Sequence, residues 1–198
     1  MDAIAPTTEL EAVNEILAAI SESPVNSLTS GNADVQEAVR LLRQESRATQ
    51  KRGYWFNTEV VTLSPSLDAG SGEYWLTLPS NTLKARVARS DWDRLYVIRG
   101  NRLYDTDNNT YNIATAIDVE LVVGLDFIEL PESARSFITA SAGYVFCDTQ
   151  MGAEPNRIFT RERVRDARAL LMQDDVETAR PNMVRDSWGS ASVMRRSI

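Results

Sequence analysis

Hydrophobic residues recur at two different periods along this chain, and the change between them limits the folds open to it. Near both ends the apolar residues fall three and four positions apart, which is typical of amphipathic helices. Between about residues 54 and 125 the period shifts to two, which is typical of half-buried strands. The order helix, helix, sheet, helix, helix predicts an α+β protein in which the strands are inserted between two helix pairs.

Four segments carry the helical period, and local signals mark their ends. Thr8 followed by Glu11 has the form of a capping box. Gly53 is a natural stop for the second helix, and Pro131 suits the first turn of the third. The expected helices cover residues 8–20, 34–52, 131–150 and 160–178.

The middle of the chain is rich in aromatic and β-branched residues separated by turn signals. Gly100-Asn101 lies between two short apolar runs and indicates a two-residue hairpin. A set of short strands at this density favours a small antiparallel sandwich or barrel. The expected strands cover residues 54–63, 74–78, 83–88, 95–99, 102–104, 113–116 and 119–125.

These elements predict a four-helix bundle, built from the N- and C-terminal helix pairs, from which a small β domain projects. No hydrophobic period survives after Pro181, so the chain is expected to end in an extended tail. The expected divisions are residues 1–53 and 129–179 for the two halves of the helical domain, 54–128 for the β domain, and 180–198 for the tail.

Composition narrows the class of protein further. The hydrophobic fraction of 43% in 198 residues is enough for a buried core. No run of 18 apolar residues occurs, so no membrane span is expected, and the first residues lack the pattern of a signal peptide. Cys147 is the single cysteine and lies among apolar residues, which predicts a buried, inert thiol.

The chain contains no histidine, which removes the commonest general acid and base and the usual zinc ligand. An enzyme built from this sequence would have to work with carboxylates, lysine, tyrosine or arginine alone, and no metal site is expected. The net charge of −7 also argues against a protein that grips nucleic acid through its phosphates, because such a protein needs a basic face.

Paired acidic residues occur at three places and admit two interpretations. Two facing carboxylates are the machinery of glycoside hydrolysis. Alternatively, such pairs are turn formers and solvated surface, which the flanking polar residues favour. The segment Asp105–Asn109 briefly resembles a calcium loop, but it lacks the downstream glycine and glutamate of one. The three pairs are Asp91/Asp93, Asp105/Asp107 and Asp174/Asp175.

Segments spread over nearly the whole chain resemble one family in one order. They are LEAVNEILAAISESPVNSL at 10–28, GYWFNTE at 53–59, ELPESARSFITASAGYVF at 129–146, and the charged helix at 160–178 followed by Asn182-Met183. Together they resemble the tail tubular protein A family of short-tailed bacteriophages. Ser21 departs from that family, which commonly has glycine after the first helix.

The resemblance implies a structural virion protein of the phage tail, assembled in the host cytoplasm. It implies a ring of twelve copies between the portal protein and a nozzle protein of the tail tubular protein B type. DNA would pass through the channel without specific binding, and the family offers no cofactor and no catalytic residues. The alternative from another class is a carboxylate-based glycan hydrolase of the phage tail.

Three groups of residues are expected to carry this function. Gly53, Trp55 and Phe56 are expected at the junction of the two domains, with the two aromatic residues beginning the first strand. A polar loop containing Asp105, Asp107, Asn108 and Asn109 is expected to contact the nozzle. The tail carries +3 while the rest of the chain carries −10, so it is expected to contact the portal or a neighbouring subunit. The tail residues concerned are Arg180, Met183, Arg185, Trp188, Arg195 and Arg196.

Overall fold

A computed structural model describes residues 5–29, 31–87, 96–151 and 158–179, and in these residues the chain forms four helices and seven strands. It is a mixed α/β protein, and its helices begin and end within two residues of the predicted positions. α3 packs against each of the other three helices, and α1 also packs against α2. Their assembly as a bundle and the extended tail stay predictions. The helices are α1 (Glu9–Ala18), α2 (Ala33–Gln50), α3 (Glu132–Met151) and α4 (Arg161–Ala179).

Both ends of α1 are fixed by local hydrogen bonds. The predicted capping box is confirmed: the Glu11 N–H donates to Thr8 Oγ1 at 3.2 Å, and the Thr8 N–H donates to Glu11 Oε2 at 2.7 Å. The Thr8 N–H and the Thr8 hydroxyl both donate to the Glu11 carboxylate, which stabilises its charged form and lowers the pKa of Glu11. At the other end the Ser21 N–H donates to Ala18 O and the Glu22 N–H to Leu17 O, which is the bond pair of a Schellman motif.

α4 is held to α3 by a glycine and an aromatic ring. Phe159, just before α4, is fully buried. A Cβ atom on Gly143 would lie 2.6 Å from the Phe159 ring, so only glycine at this position of α3 leaves room for that ring.

The strands form three small antiparallel units. β1, β7 and β4 make a three-stranded sheet in that order, and two hairpins pair β2 with β3 and β5 with β6. The predicted hairpin at Gly100-Asn101 is confirmed, with Arg99 opposite Arg102 and Gly100 at φ +65°. Closure into a sandwich or barrel stays a prediction. The strands are β1 (Thr58–Leu63), β2 (Ser66–Leu67), β3 (Tyr74–Trp75), β4 (Thr82–Val87), β5 (Tyr96–Arg99), β6 (Arg102–Asp105) and β7 (Ile117–Val123).

Several strand boundaries differ from the predictions, and the strand expected over 74–78 ends at Trp75. The first strand begins at Thr58, because residues 54–57 form a turn. Residues 113–116 are not a strand; Ile113 is buried and its N–H donates to Tyr74 O, so its apolar side chain reflects a packed loop. Ser66–Leu67 pairs as a short strand within a connection predicted to be a turn.

Buried apolar side chains form two clusters. One joins the four helices and includes Ile16, Leu42, Ile138 and Phe146, together with the buried Cys147 thiol that the sequence predicted. The other lies among the strands. Leu125 packs against both clusters, so the segment after β7 lies where they meet.

Ser21 adopts the left-handed conformation (φ +63°) that the resemblance assigns to glycine. An L residue in this conformation costs about 1–2 kcal/mol of strain. Glycine removes that strain but loses more backbone entropy on folding, so we expect Ser21→Gly to raise the free energy of unfolding by about 0.5–1 kcal/mol. Urea denaturation measures it. Ser23→Gly, at a residue outside the left-handed region, is the control and should not stabilise; equal gains in both variants would contradict the explanation.

Candidate functional site

The turn at residues 51–57 joins α2 to β1 and contains the predicted junction residues. α2 ends at Gln50, and the Gly53 N–H donates to Gln50 O at 3.0 Å. Gly53 has φ +80°, and a Cβ atom on it would lie 3.0 Å from a methyl group of Val122 in β7. The left-handed backbone therefore favours glycine here, and the nearby Val122 methyl group leaves little room for a Cβ atom.

The three aromatic residues of this turn differ in burial and in what they contact. Tyr54 is buried and its ring stacks on Phe56, with centroids 5.5 Å apart and planes 4° apart. Phe56 packs against the helical core, whereas Trp55 is 38% exposed and meets the edge of Phe56. Burial raises the pKa of Tyr54, which keeps its hydroxyl neutral.

Asn57 connects this turn to α2 and to β7 at once. Its Oδ1 accepts from the Tyr54 N–H at 2.9 Å, and its Nδ2 donates to Gln50 O at 3.0 Å and to Val123 O at 2.9 Å. The Asn57 backbone carbonyl also accepts from the Val123 N–H. Asn57 is only 2% exposed, so these bonds replace water for every polar atom of its side chain.

Gln50 makes the matching connection from the helix. Its Oε1 accepts from the Leu125 N–H at 2.7 Å, and its Nε2 donates to Leu125 O at 3.0 Å and to Ser46 Oγ at 2.9 Å. Gln50 is also 2% exposed. We call Gln50 and Asn57 the amide pair. Its hydrogen bonds connect the last turn of α2 to Val123, at the end of β7, and to Leu125, two residues later.

A buried arginine fixes the return of the chain into the helices. Arg135 donates to Leu130 O and Thr7 O, each at 2.8 Å, and to Ile128 O at 2.5 Å. Glu132 accepts from the N–H and the hydroxyl of Thr7 at 2.9 and 2.6 Å. The first turn of α3 therefore anchors both the segment before α1 and the 3₁₀ turn Phe127–Glu129.

The acidic pair of α4 reaches the same junction. The Trp55 N–H donates to Asp175 Oδ1 at 2.9 Å, and the Ser133 hydroxyl donates to Asp174 Oδ2 at 2.6 Å. With this bond from Trp55, the junction turn contacts α4 as well as α2 and β7.

An open groove of about 660 Å³ lies beside the amide pair, between α2 and residues 124–128. Leu42, Leu83 and Phe127 supply apolar surface to it, and Arg43 and Arg47 line it from α2. Arg43 pairs with Glu9 at 3.1 Å.

The predicted nozzle loop is a tight turn built around one carboxylate. Asp105 is buried and accepts from the N–H groups of Asp107 and Asn108 at 2.9 and 3.1 Å, and from Asn108 Nδ2 at 2.8 Å. Asn109 has φ +52°. Asp105 therefore shapes the turn from inside, while Asp107, Asn108 and Asn109 are exposed at its tip.

The other predicted site residues cannot be placed. Asp91 and Asp93 lie outside the described residues, and so does the whole group assigned to portal or neighbour contact: Arg180, Met183, Arg185, Trp188, Arg195 and Arg196. The amide pair and Arg135 were missed by the sequence interpretation. No local signal marks them, because amides and arginines are usually solvent-exposed and each of the three has a partner far away in sequence.

The chemistry of the described junction is structural. The Gln50 and Asn57 amides and the Arg135 guanidinium are used in hydrogen bonds between elements, and within the described ranges no group of three or more Cys, Asp or Glu side chains is placed to hold a metal ion. Among the helices in those ranges, none is long and apolar enough to cross a membrane. The arrangement can hold helices and sheet in one fixed orientation.

We expect Asn57→Ala to lower the free energy of unfolding by about 2–3 kcal/mol, because it removes three buried hydrogen bonds and takes from the Tyr54 N–H its partner, Asn57 Oδ1. Chemical denaturation measures the loss. Asn81→Ala is the matched control: Asn81 donates to Gly124 O from an exposed position and should cost less than about 1 kcal/mol. Equal costs would show that the amide pair does not hold the junction.

Comparison with known proteins identifies the family. A family model described as tail tubular protein matches residues 10–181, which include all the helices and strands described above except the first residue of α1. The chain is similar to tail tubular protein A of Klebsiella phage KP34, with 24% identity over 172 residues that cover 87% of this chain and 89% of that protein. The chain is therefore a structural component of a bacteriophage tail and belongs to the tail tubular protein family.

Proposed function

We propose that this chain is a ring-forming adaptor that joins the portal to the tail nozzle and leaves a channel for DNA. The observation that carries the proposal is the family match over residues 10–181, which spans helices and sheet together. The proposed ring has twelve copies, is assembled in the host cytoplasm and needs no cofactor.

The junction supports a mechanical role. A joint between a head and a tail must pass force from one partner to the other without bending. The amide pair, Gly53 and Asp175 hold the turn at residues 51–57 against α2, β7 and α4. Buried, satisfied polar networks of this kind rigidify the elements that they join.

Charge supports the passage of DNA rather than its capture. The chain carries −7, so a closed ring of such chains is strongly acidic. An acidic channel wall repels phosphates and lets DNA slide, whereas a basic wall would hold it.

We assign the partners to different parts of the chain. The helical parts (residues 1–53 and 129–179) contact neighbouring copies, and the β part (54–128) points toward the nozzle. The tail (180–198) contacts the portal or a neighbour. Ring neighbours meet through two different surfaces, and the exposed faces of α1, α2 and α4 are the surfaces proposed for this.

We expect the full chain mixed with purified portal to give rings on the portal in electron micrographs. The chain truncated after Thr178 should melt at nearly the same temperature as the full chain but should form no rings. Ordering the tail costs on the order of 1–2 kcal/mol per residue, so it should bind only where a partner surface compensates. A full chain that stays monomeric beside portal rings would contradict the adaptor function.

A reducing-sugar assay on host capsule or peptidoglycan tests the glycan hydrolase alternative.

We expect Asp107→Lys to weaken nozzle attachment by about three- to tenfold at low salt and to leave portal attachment unchanged, because it reverses a charge at the exposed tip of the proposed nozzle loop. Co-sedimentation with each partner measures both. Glu59→Lys, on exposed β1, makes the same charge change away from the loop. Loss of portal binding with retained nozzle binding would show that the β part points the opposite way.

A further inference from the structure

The C-terminal half of α4 is acidic and lacks compensating charge. Residues 169–179 contain Asp174, Asp175 and Glu177 and no lysine or arginine, and the last turn has no basic residue. The end of an α-helix also carries a partial negative charge from its unpaired carbonyls. This end of the molecule therefore attracts cations.

A groove of about 380 Å³ runs between this half of α4 and the start of α3. Glu132, Asp174 and Glu177 line it, and their recorded partners are neutral donors: Thr7, Ser133 and Gln173 respectively. None of the three forms a salt bridge with another residue of the described ranges. We call this the acidic groove.

Apolar surface accompanies the charge. Leu170 lines the acidic groove and is 62% exposed, and Val176 on the same helix is similarly exposed. α4 uses only one stripe, including Val164 and Leu171, against the helical core. An occupant that combines cationic and apolar side chains would match both features of this surface.

We propose that the acidic groove binds residues 180–198 of a neighbouring copy in the ring. This segment is the part of the chain with the opposite charge: it has four arginines against one aspartate, while residues 1–179 carry −10. It also contains Met183, Trp188 and Met194, which can cover Leu170. The inference rests on the proposed ring and names the contact that links one copy to the next.

Length and position favour a neighbour over the same chain. The acidic groove lies against the last three turns of α4, so the same chain would have to reverse direction after Ala179 to occupy it. Nineteen residues can extend over roughly 60 Å, which is enough to cross to an adjacent copy. A tail that binds a neighbouring copy stabilises the ring only when the two copies are adjacent, because only then can both contacts form together.

Cross-linking between two versions of the full chain tests the proposal. Both carry Cys147→Ala; one adds Leu170→Cys and an affinity tag, and the other adds Trp188→Cys. Mixed with portal and oxidised, they should give a covalent heterodimer. The matched control replaces Leu170→Cys with Val60→Cys, since Val60 is 66% exposed and lies on β1. We expect at least about a fivefold lower yield from the control.

A charge variant provides the second readout. Adding Asp174→Asn and Glu177→Gln should lower the heterodimer yield by about fivefold or more at low salt, whereas Glu22→Gln with Glu59→Gln should not. Equal yields from Leu170→Cys and Val60→Cys, or no effect of the charge variant, would overturn the proposal. A disulfide that forms only when Leu170→Cys and Trp188→Cys are placed in one chain would overturn the neighbour assignment. Rings without the cross-link refute this inference alone, and absence of rings refutes the proposed function.

Discussion

Two buried side-chain amides hold the helices and the sheet of this protein in register. Gln50 ends α2 and Asn57 precedes β1, and each bonds to backbone groups at or just after the end of β7. Burying an amide is unfavourable unless each of its polar atoms finds a partner, and here the partners lie on different elements. The cost of losing them makes the relative position of the two parts specific, whereas apolar contacts alone would tolerate sliding.

The rest of the helical part is organised around α3. Its first turn anchors the N-terminal segment through Glu132 and Arg135, and its middle receives Phe159 over Gly143. Because α3 contacts α1, α2 and α4, a disturbance in α3 would reach all the helices of the described residues. The junction and α3 are therefore linked: Arg135 holds the 3₁₀ turn that follows Leu125, and Leu125 is bonded to Gln50.

Charge is distributed unevenly along the chain. The described chain is acidic, and its acidity is locally uncompensated at the end of α4, while the residues that follow α4 are basic. Repulsion along a channel suits passage of DNA, and attraction between the basic segment and an acidic surface suits assembly. In the proposed ring, one chain supplies both effects.

The sequence alone determined the four helices, the place of the strands between the two helix pairs, the Thr8–Glu11 cap, the Gly100 hairpin, the buried Cys147 and the family, because these depend on local spacing and on motifs that survive in one chain. Only the tertiary structure decided that Tyr54–Asn57 form a turn rather than the start of β1, and that Gln50, Asn57 and Arg135 are buried. Ser21 shows the same limit, since its left-handed backbone follows from the way the chain leaves α1 and not from its own preference. The physical reason is range: hydrophobic period is set by neighbours three or four residues apart, whereas a polar side chain is buried only when a partner 66, 75 or 128 residues away is brought to it by packing.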